Sequence, residues 1–159
     1  MIEVKLTIVQ MHVEEKAREW KSGPVSGRQH GFQLRRLAEH WAQSQLGEGF
    51  TLSQEFDGGA ATSSLLFKHE EAETFVRLLI FGPYKDVDEY SARLNSFMAQ
   101  LVSTAAAADK VIGLVPYPSR EYWNYLDLQA VSCSNIEIFV VHFAKDVFEP
   151  IKLERAASR

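Results

Sequence analysis

At 159 residues, 46% hydrophobic and 24% charged, the chain is long enough to bury a real core and too apolar to be a disordered segment. Its net charge of −4, from 17 basic and 21 acidic residues, opposes broad phosphate binding, which draws its affinity from clustered Lys and Arg. The one cysteine, Cys133, excludes an intramolecular disulfide and a cysteine-based zinc site.

The first residues, IEVKLTI, alternate. Ile2, Val4, Leu6 and Ile8 share one face, and Glu3, Lys5 and Thr7 the other, which predicts a half-buried strand. The phase then changes at Val9, Met11 and Val13, so the strand either bulges near Ile8 to Gln10 or becomes buried on both faces. The interleaved charges argue against a signal peptide. The longest apolar runs, such as IFVV, fall far short of a membrane span. A soluble, cytoplasmic protein is expected.

Residues 14–31, EEKAREWKSGPVSGRQHG, read as a long connection marked by Gly23-Pro24, Ser26-Gly27 and Gly31. A connection of this length in a compact domain is functional or mobile. A helix is predicted from Phe32, with Leu34, Leu37, Ala38, Trp41, Ala42 and Gln45 on one arc. Arg35 and Glu39 form an i,i+4 pair on the other side, and Gly47 is the stop. FTLSQEF, ATSSLLFKHE and FVRLLIF then read as an antiparallel meander, with a hairpin signal at Asp57-Gly58-Gly59. The rival reading of HEEAETFVRLL as a helix leaves Phe81 without a face to pack on.

The clearest helix is predicted from Asp86 to about Ala108. Asp86 and Glu89 have capping-box-like spacing, and Val87, Tyr90, Leu94, Phe97, Leu101 and Ala105 form the apolar stripe. Residues 111–115 read as a buried strand, 119–133 as a helix and 136–143 as another buried strand. The expected class is α+β, with mixed α/β as the alternative. About six strands follow the order β-α-βββ-α-β-α-β, in a single globular domain over 1–145 with a C-terminal tail over 146–159.

No motif identifies a reaction. The strand–helix–three-strand order is similar to that of the PD-(D/E)xK nucleases, whose meander carries an Asp and then a Glu-x-Lys to hold Mg²⁺ and activate water. Here Asp57 sits at a turn, and the third strand reads ETFVRLLIF without a Glu-x-Lys, so the likeness is one of order and stops at the motif. His12, His30, His40, His69 and His142 form no metal-ligand spacing. His69 with Glu70 could do acid–base work only in a cleft. Cys133 reads as a buried structural thiol. No metal and no cofactor are expected.

Two stretches are candidates for contact with a partner. Between residues 18 and 36, Arg18, Lys21, Arg28, Arg35, Arg36 and His30 face the single acid Glu19. Trp20 and Phe32 lie among these charges, and His40 extends the polar arc one turn past Arg36. The same composition also suits a solvated loop and helix face. The second stretch is PYPSREYWNY. Tyr122 and Trp123 belong to the core face of the predicted helix, whereas Tyr117 and Tyr125, with Arg120, are placed to meet a partner.

The chain therefore reads as a non-enzymatic protein-binding domain, of the kind seen in immunity proteins, inhibitors and assembly subunits. Its expected partner is a protein with an acidic surface, met by Arg18, Trp20, Lys21, Arg28, His30, Arg36, His40, Tyr117, Arg120 and Tyr125. The alternative is a nucleic-acid-associated domain, a degenerate nuclease-like fold using the basic 18–36 segment. A homo-oligomer is compatible with either, and a membrane is not.

Overall fold

The computed structural model describes residues 28–56, 62–81, 87–116, 134–141 and 150–152. In chain order these form α1 (Arg28–Leu46), β1 (Phe50–Phe56), β2 (Ser63–His69), β3 (Phe75–Ile80), α2 (Val87–Ala105), β4 (Lys110–Pro116), β5 (Ile136–Val141) and the two-residue β6 (Ile151–Lys152). The class is α+β, with a mixed sheet. The predicted first strand and the predicted helix over 119–133 lie outside the described residues.

Strands β1 to β5 lie side by side in chain order. β1–β2 and β2–β3 are antiparallel, whereas β3–β4 and β4–β5 are parallel. A parallel pair needs a crossover, and α2 supplies it between β3 and β4. The segment read as a C-terminal tail contributes to the sheet: in β6, Ile151 and Lys152 pair antiparallel with Val140 and Phe139 of β5. Two residues carry too little period to be read as a strand, and only the neighbouring edge makes them one.

Side-chain parity assigns the two faces. Leu65 and Phe67 of β2, Val76, Leu78 and Ile80 of β3, Ile112 and Leu114 of β4, and Phe139 and Val141 of β5 join Ala38 and Ala42 of α1 in one apolar layer. Trp41 closes it, meeting Phe139 edge-on at 4.8 Å between centroids. The alternate residues of β3 and β4 face α2. Phe97 packs edge-on to Phe81 at 5.5 Å, and a Cβ on Gly113 would lie 3.0 Å from Leu101 and 3.3 Å from Phe97. Leu94, Phe97 and Leu101 are fully buried, as the apolar stripe predicts. Phe81, the residue a helical reading of this segment would leave unpacked, is buried against Phe97. The sheet thus lies between α1 and α2, and β4 is buried on both faces over 111–115, as a parallel strand covered on both sides requires.

Three differences from the sequence expectation have local causes. α1 begins at Arg28, so Gly31 lies inside the helix rather than in a connection. One interior glycine costs about 1 kcal/mol against alanine, and burial of the Ala38–Ala42 face offsets that. Gln45 is exposed, and Leu46 packs against the core in its place. Finally, the register of β1 slips between Leu52 and Gln54. Up to Leu52 the strand's apolar residues face α1; past the bulge the phase is reversed. Phe56 is thereby opposite Ser64 and 63% exposed, while Glu55 comes round to the α1 side.

Polar groups fix the ends of the elements. α1 stops at Gly47, whose φ of +82° is a left-handed cap, with its N–H donating to Gln43 O at 3.2 Å. The Gln43 side-chain amide donates to Phe50 O, tying α1 to the start of β1. At the far end of α2, Asn135 Nδ2 donates to Ala105 O at 2.9 Å and Ala108 O at 3.1 Å, satisfying carbonyls that a helix C-terminus leaves unpaired. Asp109 clasps the start of β3: its carboxylate accepts from Phe75 N at 2.7 Å, and its own N–H donates to Phe75 O at 3.1 Å.

Candidate functional site

Of the residues expected to meet a partner, Arg28, His30, Arg36 and His40 fall within the described structure, and all four are on α1. The sequence puts Arg28 and His30 in a long connection; the backbone places both in the first turn of the helix. Cations at a helix N-terminus oppose the macrodipole, and α1 has no acid in its first turn to offset them. Arg18, Trp20, Lys21, Tyr117, Arg120 and Tyr125 lie outside the described residues.

Arg36 and His40 are exposed and one turn apart. At about 100° per residue, each lies about 160° round the helix from the buried Ala38, so the inward Ala38–Ala42 stripe forces both to the outer side. Arg35, on a neighbouring position, is used differently. Its Nη1 donates to Glu55 Oε1 at 2.9 Å, joining α1 to the edge strand at a place Glu55 reaches only because of the β1 bulge. The Arg35–Glu39 pair expected within the helix did not foresee this partner twenty residues away.

His69 is occupied by structure. Its Nδ1 accepts the N–H of Glu71 at 3.1 Å and of Ala72 at 3.0 Å, so the imidazole closes the β2–β3 turn. Its ring meets Phe50 edge-on at 4.9 Å. His69 N donates to Thr74 O, and Glu70 N to Gly49 O, both at 3.0 Å. The turn thus engages Nδ1, while Nε2 lies against Gly49.

β3 of the meander carries no Glu-x-Lys. On β3, Leu78, Leu79 and Ile80 are at most 4% exposed and Val76 2%. The one charged side chain of that strand, Arg77, donates from Nη1 to Ser64 Oγ at 3.1 Å on β2. Among the described residues, no group of three or more His, Cys, Asp or Glu stands together as a metal site would require, and no helix is long and apolar enough to cross a membrane.

Two exposed aromatic side chains that sequence reading missed are on the meander. Phe56 is turned outward by the bulge, and Phe75 is 36% exposed with Lys68 Nζ 5.6 Å from its ring centroid. Simple alternation along FTLSQEF would place Phe56 with Phe50 and Leu52, so nothing in the pattern marks it. Compared with protein-family models, with curated proteins and with solved structures, the chain matches none.

Proposed function

We propose that the chain is a non-enzymatic binding domain whose partner is a protein with an acidic surface. The observation that carries this reading is the composition of β3, Phe75-Val76-Arg77-Leu78-Leu79-Ile80, packed at the centre of a nuclease-like strand order. Where the nuclease order carries Glu-x-Lys, this strand offers Arg77 among apolar residues, which favours recognition over catalysis. The surface proposed for the contact is the outer side of α1, where Arg36 and His40 stand one turn apart on an otherwise acidic protein. An acidic partner gains charge complementarity and a faster encounter there.

A second reading keeps the nucleic-acid partner. It is favoured by the helix and three-strand antiparallel meander, α1 to β3, which are the described part of the strand–helix–three-strand order that suggests the nuclease comparison. Capture of partners on the immobilised full chain, with and without nuclease treatment and across a salt series, separates the two. A protein that remains bound after nuclease treatment supports the first reading. Nucleic acid that is retained at low salt and lost steeply as salt rises supports the second.

A further inference from the structure

We draw no further inference here: the strongest candidate, the face of β1, β2 and β3 turned away from α1, where Phe56 and Phe75 stand exposed beside Lys68 and Arg77, is a surface for which nothing among the described residues shows what covers it.

Discussion

Gly49 lies directly against the imidazole of His69: a Cβ on Gly49 would collide with His69 Nε2, and would come within 3.0 and 3.1 Å of Cδ2 and Cε1. Gly49 also has a φ of +95°, where an L side chain is strained. Gly47 is the internal control, with a φ of +82° and nothing within 4 Å of its would-be Cβ. Gly47→Ala should therefore cost about 1–2 kcal/mol from backbone strain alone. Gly49→Ala should cost at least about 1 kcal/mol more, because packing strain adds to the backbone term. In a His69→Ala background the excess should shrink toward the Gly47 value. Urea denaturation of the single and double variants measures this coupling, and equal losses for the two glycines in the wild-type background would show that the approach is not tight.

The α2 stripe buries one of the largest side chains of the core. Phe97 is fully buried, meets Phe81 edge-on and lies against Gly113. Phe97→Ala should cost about 3–5 kcal/mol, as a truncation that leaves a cavity. A loss below about 1 kcal/mol in the same denaturation experiment would mean that this face of α2 does not pack on the sheet.

Asn135 caps a helix that ends some thirty residues earlier in the chain. Asn135→Ala removes two donors to the carbonyls of Ala105 and Ala108 and should cost about 1–3 kcal/mol, the cost of leaving part-buried acceptors unpaired. Amide hydrogen exchange localises the effect: exchange should quicken in the last turn of α2 before it does in β1 or β2. Uniform quickening, or none, would argue against the cap.

If the aliphatic β3 excludes metal-assisted hydrolysis, DNA and RNA incubated with the purified chain and Mg²⁺ or Mn²⁺ should remain intact on a gel. Cleavage that disappears in Asp57→Ala would restore the nuclease reading and displace the binding one.

The contact surface is tested by charge. Arg28→Glu with Arg36→Glu should abolish capture of the partner. Placing Glu at position 28, in the first turn of α1, favours the helix by about 0.3–1 kcal/mol, and the melting temperature of the double variant, measured alongside, separates lost binding from lost stability. Tyr117→Ala with Tyr125→Ala is the comparison. Capture that survives the charge reversal and fails in the tyrosine pair would move the interface to the aromatic segment.

What the sequence by itself determined is whatever repeats along the chain. The stripe of Leu94, Phe97, Leu101 and Ala105 is legible because burial on one side of a helix imposes its period on neighbouring residues. The same logic makes β3 to β5 legible as buried strands, and places Arg36 and His40 outward as soon as Ala38 and Ala42 are read as inward. The tertiary structure alone decided the features that join distant residues. Gly31 looks like a breaker until the helix around it has a core face to gain. One inserted residue in β1 turns Phe56 outward and delivers Glu55 to Arg35, a pairing that no local pattern encodes because the two lie on different elements. Gly49 against His69, Asn135 beneath α2 and β6 on the edge of β5 have the same character. Local spacing records which way a side chain must point; only the packed sheet settles what it meets, since register and crossover are fixed by the sum of contacts and not by any one segment.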